Sequence, residues 1–450
     1  MIYTDLIFIY AFLPIAVILT MLDRSVEYKN FILVIASLVF FSWGKPVYVC
    51  LIFLSAVFDW IFGLIAGSRA RGFKFLGAGL SLVMNAAIFV FVQWNFLFAG
   101  TPLSVERSVL PLGIAFYTVR GMSYVFDTAL GKNPPEKNVF CFLTYMINYT
   151  LLLVGPFVRY REMEGQIRHR MITGRKINDG ITRFIVGLGK TAVLAGALGY
   201  VKSAGLDLTD MTFFGAVIGM AAFIAQVYFL FSGYTDMAIG LGLLNGFTCF
   251  GESFLPLKPK DGVTGAVFGF NHSLVKVVND CFISPLSKSP VSAFFATLAC
   301  SALVGLWYGF GKQYAVFGLF FGVLIIIETL FLRKLIKKLL SAITAVYILI
   351  AVFFGWSIVY FGSLSSYKIW LSALSFKYGL ISDGLVGELL SYCALLVFAV
   401  FLLTPFKDML KCAINSWAMS GEKAYSTVRL LSTAGLIIIL LMSTASKVVY

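Results

Sequence analysis

The sequence predicts an all-α, polytopic integral membrane protein, and three observations carry that prediction. Of its 450 residues, 60% are hydrophobic and only 12% are charged, where an ordinary soluble protein carries about 25% charged residues. The uncharged runs at 75–105, 138–158, 211–235, 289–311 and 339–367 each exceed the length that spans a bilayer as a helix, about 20 apolar residues. Those runs are apolar on every face and do not alternate, which excludes a transmembrane β-barrel.

Taken in order, the first apolar stretch follows Met1-Ile2-Tyr3-Thr4-Asp5 and runs through Leu22. It lacks the basic start of a cleaved signal peptide and is expected to persist as the first membrane helix. The balanced Asp23–Lys29 loop specifies its orientation weakly, and an extracytoplasmic N-terminus is the expectation. Further segments follow near 30–44 and 46–66, then the loop with Arg69, Arg71 and Lys74, then 75–98, 108–126 and 138–158. Next comes a basic stretch, 159–183, in which Arg159, Arg161, Arg168, Arg170, Arg175, Lys176 and Arg183 face Glu162, Glu164 and Asp179. Segments near 181–201 and 211–245 precede a polar stretch at 252–288, and 289–311 and 313–332 follow it. Arg333, Lys334, Lys337 and Lys338 separate these from 339–361, 385–406 and 430–446. That makes roughly 11 to 13 membrane segments. Several have only ~13–15 residues and are expected to re-enter or lie within the bundle. One membrane domain is expected over 1–450.

The 35 basic against 21 acidic residues give a formal charge of +14. The basic residues sit in short loops with no basic stripe carrying interleaved aromatics, so the excess reads as the positive-inside rule and not as nucleic-acid binding. The three basic loops are accordingly expected at the cytoplasmic face. Seven scattered cysteines, none with CxxC spacing, point to neither a disulfide framework nor a structural metal.

Four stretches could carry chemistry. The 159–183 loop reads either as a plain cytoplasmic loop touching anionic headgroups or as a recognition surface for a phosphate- or thioester-bearing donor, with Arg159, Arg161 and Arg168 on the donor side; His169 is expected to be solvated. In Ser232-Gly233-Tyr234-Thr235-Asp236, an acidic side chain deep in an apolar segment costs several kcal/mol unless paired or facing a wet cavity. Function and close helix packing remain equal readings there. Within 252–288, Asn271-His272-Ser273-Leu274 contains one of only two histidines in the chain, readable as an ordinary hydrogen-bonding residue or as a base. Gly305-Leu306-Trp307-Tyr308-Gly309 ends an apolar helix, where a Trp-Tyr pair normally anchors at an interface.

These segments, in this order, resemble the membrane-bound O-acyltransferase (MBOAT) family, in particular its alginate O-acetylase-like branch and the relative that passes D-alanine to teichoic acids. Phe12-Leu13-Pro14 and Ala36-Ser37-Leu38-Val39-Phe40-Phe41-Ser42-Trp43 look like that branch's opening. Leu110-Pro111-Leu112-Gly113-Ile114-Ala115-Phe116-Tyr117-Thr118 resembles its LPLGISFYTF. Val154-Gly155-Pro156-Phe157-Val158-Arg159-Tyr160 resembles VAGPIVRY, and 232–240 resembles SGYSDMAIG. The resemblance implies a ring of helices around a funnel, with its motif-bearing core over about 110–330. Ser232, Tyr234, Asp236 and Trp307 would line the funnel. It also implies an acyl thioester donor, acyl-CoA or an acyl carrier protein, from the cytoplasm, a hydroxyl acceptor from the opposite face, and no bound cofactor.

The family's two signature histidines are both replaced. Counted without gaps from Glu252-Ser253-Phe254, the family's WRRWH falls on Val267-Phe268-Gly269-Phe270-Asn271, so its first histidine position is Asn271, with His272 one place later; the second falls on Tyr308. An acidic residue of the family's YFDFSGY is replaced by Leu230. Acyl transfer to a hydroxyl needs a base near the operating pH, which histidine at pKa ~6.5 supplies and tyrosine at ~10 does not. Making Tyr308 a comparable base would require about 4 kcal/mol of preferential phenolate stabilisation. The resulting expectation is a cell-envelope O-acylation protein with an impaired centre at Tyr308 and Asn271. One alternative is an active enzyme using His272; another is a noncatalytic scaffold or acyl conduit for an extracytoplasmic transferase.

Overall fold

The computed structural model describes residues 1–43, 47–97, 113–152, 157–248, 261–284, 287–309, 311–403, 412, 414 and 422–449, which form helices and, among themselves, no strand. Leu110-Pro111-Leu112, Val154-Gly155-Pro156, Glu252-Ser253-Phe254 and the lysines at 258 and 260 lie outside the described residues. Eight described helices are long and apolar enough to cross a membrane, or nine if one bent pair is a single span. The chain is thus an all-α, multi-pass membrane protein. Phe8–Met21 and Val139–Leu151 are apolar but shorter than a full span, at 1.5 Å of rise per residue, and the expected segments at 108–126 and 138–158 lie partly outside the described residues. By contrast Phe213–Leu244 has 32 residues, about 48 Å of helix against a hydrocarbon core of about 30 Å, so it tilts or protrudes.

The chain divides into two compact units, one made of Met1–Gly180 with Ala238–Val359 and the other of Ile181–Met237 with Tyr360–Tyr450. In the first unit, the N-terminal helix is held by aromatic packing. The Tyr149 ring lies 5.4 Å from Phe12 and 5.7 Å from Phe40, and the Tyr3 hydroxyl donates to the Tyr149 carbonyl. Later in this unit, Pro290–Tyr308 starts at a Ser289 cap, whose hydroxyl accepts from Ser292 N at 3.1 Å, with Pro290 in the first helical position. It packs backbone to backbone on the helix that follows. A Cβ on Gly305 would stand 2.2 Å from the Tyr314 carbonyl oxygen, and one on Gly318 2.1 Å from that of Ser301. Only glycine permits that approach, and it fixes where Trp307 and Tyr308 point.

In the second unit, buried Leu194, Leu198, Val201 and Phe229 pack with Leu385 and Ala399. The expected segment at 385–406 is broken: Asp383–Ser391 and Cys393–Leu403 meet at 74°. Tyr392, at the break, stacks on Tyr200 with ring centres 5.3 Å apart. Trp370, fully buried, donates its indole N–H to the Ala216 carbonyl at 3.2 Å.

Candidate functional site

In the first unit the structure brings Asn271 and Tyr308 together. The helix Gly262–Phe270 ends at Asn271, whose φ of −144° and ψ of 66° leave helical space, and a new helix, His272–Val278, begins at once. Asn271 caps that second helix, its side-chain oxygen accepting from Leu274 N at 3.4 Å. Asparagine is among the preferred residues for this task, because its short side chain reaches the orphan N–H groups of the first turn. The side chain so fixed lies beside the Tyr308 hydroxyl. Around the phenol ring stand Trp307, Phe317, Trp356 and Phe270, with centroids 5.1, 6.1, 6.1 and 6.4 Å away. The two positions that the resemblance assigns to histidines are therefore neighbours, held in an aromatic box.

Trp307 packs within an aromatic cluster. Its ring lies 4.7 Å from Phe116 and 5.8 Å from Phe157, which stack on each other at 4.9 Å and 12°. Buried Leu274 and Val277, from the helix that Asn271 caps, complete this cluster. Phe116, Phe157 and Trp307 come from three separate family-like motifs, so those motifs converge on one core directly beside Tyr308. His272 is half-buried, and its Nδ1 is buried with no hydrogen-bond partner among the described residues.

The basic stretch after residue 158 is a pair of helices, Tyr160–Arg168 and the helix that starts at Gly174, and not an open loop. Arg159 is 2% exposed: one guanidinium nitrogen pairs with Asp127 at 3.3 Å and the other with Asp280 at 2.8 Å. It ties three elements together, and the expectation of an accessible donor-side cation fails at this position. Arg168 is partly exposed, bonding to buried Glu136, which also accepts from the Tyr160 hydroxyl. Burial and that acidic partner hold the Tyr160 phenol well above its ordinary range. Arg170 is buried as well, stacked 4.4 Å over Phe247 and donating to the Asn245 carbonyl, and burial pushes it down to about 10. Arg161 and His169 remain exposed. We expect a membrane-impermeant arginine reagent applied from the cytoplasmic side to modify Arg161 and leave Arg159 untouched, read by peptide mass spectrometry. Labelling of Arg161 from outside intact cells would reverse the topology.

The second unit holds the other candidate. Asp236 is paired with two cations, Lys190 at 2.6 Å and Arg183 at 2.9 Å, and Lys190 also donates to the Ser232 hydroxyl at 3.0 Å. Arg183 and Lys190 are seven residues apart, two helical turns on one face, and Ser232 and Asp236 are four apart on the facing helix. Tyr234, two residues from each, points away from that face. The helices approach closely because a Cβ on Gly187 would stand 2.5 Å from the Gly233 carbonyl oxygen. Pairing and close packing therefore both hold at Asp236, which has polar partners within its apolar helix. The partners, Arg183 and Lys190, were not among the residues expected from the sequence.

No family model matches the chain. Among curated proteins it is similar to the probable alginate O-acetylase AlgI of Azotobacter vinelandii, at 28% identity over 486 residues, covering 99% of this chain and 97% of that protein. It is 30% identical over 376 residues to the probable alginate O-acetylase AlgI of Pseudomonas aeruginosa, covering 80% and 72%. It is 26% identical over 365 residues to the peptidoglycan O-acetyltransferase of Helicobacter pylori, covering 70% and 68%.

Proposed function

The chain belongs to the membrane-bound O-acyltransferase family, and from that membership we propose that it serves cell-envelope O-acylation with a catalytic centre impaired at Asn271 and Tyr308. The names of its relatives support transfer of an acyl group to hydroxyls of an extracytoplasmic polysaccharide. A thioester is the fitting donor, and membrane lipid is the surrounding solvent. The observation that carries the impairment is that Asn271 and Tyr308 stand side by side in an aromatic box with no histidine at either position.

The reaction requires a hydroxyl oxygen to attack the thioester carbonyl while its proton leaves for a base and the thiolate departs. An amide and a phenol can donate hydrogen bonds to the oxygen that becomes negative, which is a transition-state role. Neither accepts the proton at neutral pH. Binding and orientation would persist in such a site while proton removal would not.

His272 supports a second reading, because its unpartnered Nδ1 is free to act as an acceptor next to Asn271. Purified full-length protein, supplied with an acetyl thioester and a polysaccharide hydroxyl acceptor, separates the two. We expect wild type and His272→Ala to give the same background-level transfer. Robust wild-type turnover that falls about 10²–10⁴-fold in His272→Ala assigns the base to His272 and refutes the impairment.

A further inference from the structure

We propose that the cavity at the basic end of the helix Lys312–Lys338 is a binding site for the headgroup of a zwitterionic phospholipid bearing a primary ammonium, of the phosphatidylethanolamine class. The cavity measures about 420 Å³ and is lined by Asp261, Phe268, Glu328, Arg333, Ile336 and Lys337, within the size range of small-ligand sites. Three features select the ligand.

The first is charge layout. Arg333 and Lys337 lie one turn apart and so share a face, and neither forms an ion pair with a described residue although both line a cavity that contains an acid. A guanidinium beside an ammonium suits a phosphate diester. The cavity's two carboxylates differ in availability. Glu328 is 3% exposed and already accepts from Val263 N at 2.6 Å, Thr264 N at 2.8 Å and the Thr264 hydroxyl at 2.6 Å, at the start of the helix Gly262–Phe270. Asp261 is exposed and makes no side-chain capping bond. Among the described residues, the cavity's charges without an ion pair are thus two cations and one anion, which match a phosphate with an ammonium attached better than they match a bare anion.

The second feature is depth. Counted from Lys312 at 1.5 Å per residue, Glu328 lies about 24 Å along the helix and Arg333 about 32 Å. That places Glu328 at the edge of a hydrocarbon layer about 30 Å thick and Arg333 in the headgroup zone. The third is the apolar surround. Phe268 and Ile336 line the cavity, and Leu330 and Phe331, on the same helix, are 65% and 75% exposed, an outward apolar face along which acyl chains can lie.

The test uses delipidated full-length protein in detergent, titrated separately with short-chain phosphatidylethanolamine, phosphatidylcholine and phosphatidylglycerol and with coenzyme A as a soluble phosphate ester, and read by native mass spectrometry. Phosphatidylethanolamine should be retained about tenfold more tightly than phosphatidylcholine, whose trimethylammonium cannot donate to Asp261. Arg333→Gln/Lys337→Gln should lower that retention about tenfold. Asp261→Asn should weaken phosphatidylethanolamine while leaving phosphatidylglycerol unchanged. Arg333, Lys337 and Asp261 are exposed, so these variants are expected to fold, and an unchanged melting temperature verifies it. Equal retention of all three lipids, or no effect of the double substitution, would overturn the site. So would coenzyme A displacing the lipid with the same dependence on Arg333 and Lys337, which would make the cavity a donor site instead.

Discussion

Tyr308→His should raise acyl transfer by roughly 10²–10⁴-fold over wild type, the contribution of a positioned general base. The geometry favours this gain because Asn271 is already fixed as the cap of the helix His272–Val278 and already touches the Tyr308 side chain. An imidazole at 308 could donate one ring N–H to the Asn271 side-chain oxygen, which sets the tautomer and leaves the second nitrogen to take the hydroxyl proton. Replacing a phenol by a smaller polar ring inside the box of Trp307, Phe317, Trp356 and Phe270 costs packing, so the variant's melting temperature must be followed beside its rate. Two controls make the result interpretable. Tyr308→Phe should stay at the wild-type background, since it adds no base; a gain equal to that of Tyr308→His would show that loss of the phenol, and not the imidazole, is responsible. Tyr308→His/Asn271→Ala should lose most of the gain, because the ring then has no fixed tautomer. If Tyr308→His folds, binds a thioester donor and still gains nothing, the missing group is not the base and the scaffold reading takes its place.

The class of fold was legible in composition and in the length of the uncharged runs, since a bilayer imposes both directly. The site was legible only in part, and the reason is sequence separation. The reading of the basic stretch counted the acids nearby in sequence, Glu162, Glu164 and Asp179. The acids that bury Arg159 are Asp127 and Asp280, 32 and 121 residues away, and nothing in the local pattern announces such a pairing. Arg168 likewise finds Glu136, from a connection that carried no signal of its own. Asn271 was different. An asparagine at the junction of two short apolar runs is a helix-start signal, and it could have indicated that this position turns the chain as well as replacing a histidine. The partners of Asp236 were visible too, because Arg183 and Lys190 have helical spacing. Arg183 belongs to the basic stretch and Lys190 to the apolar segment that follows it, so only their spacing of seven reveals that they share one stripe.

That stripe gives an asymmetry in stability. Among the described residues, Asp236 is the one acid paired with Lys190 and Arg183, with side-chain exposures of 13% for Asp236, 23% for Lys190 and 36% for Arg183. Removing it leaves two positive charges facing each other where solvation is poor, whereas removing one cation leaves a neutral pair. Truncating one partner of a buried ion pair costs about 3–5 kcal/mol, and exposed pairs are worth about 1 kcal/mol or less. For this partly exposed cluster, Asp236→Ala should therefore cost about 2–3 kcal/mol, and Lys190→Met, which keeps the apolar stem volume and the Arg183–Asp236 pair, less than about 1 kcal/mol. The measurement is thermal or denaturant unfolding in detergent of the two single variants and of Asp236→Ala/Lys190→Met. The double variant should recover part of the Asp236→Ala loss, since only Arg183 would remain and it can extend towards water. Equal destabilisation by the two single changes would show that the cluster's value lies in the geometry of the Lys190–Ser232 contact and not in charge balance. Activity then separates packing from function. If Lys190→Met leaves the melting temperature in place yet abolishes the acyl transfer that Tyr308→His confers, the Asp236 cluster takes part in the substrate's path, because charge balance alone would have spared it.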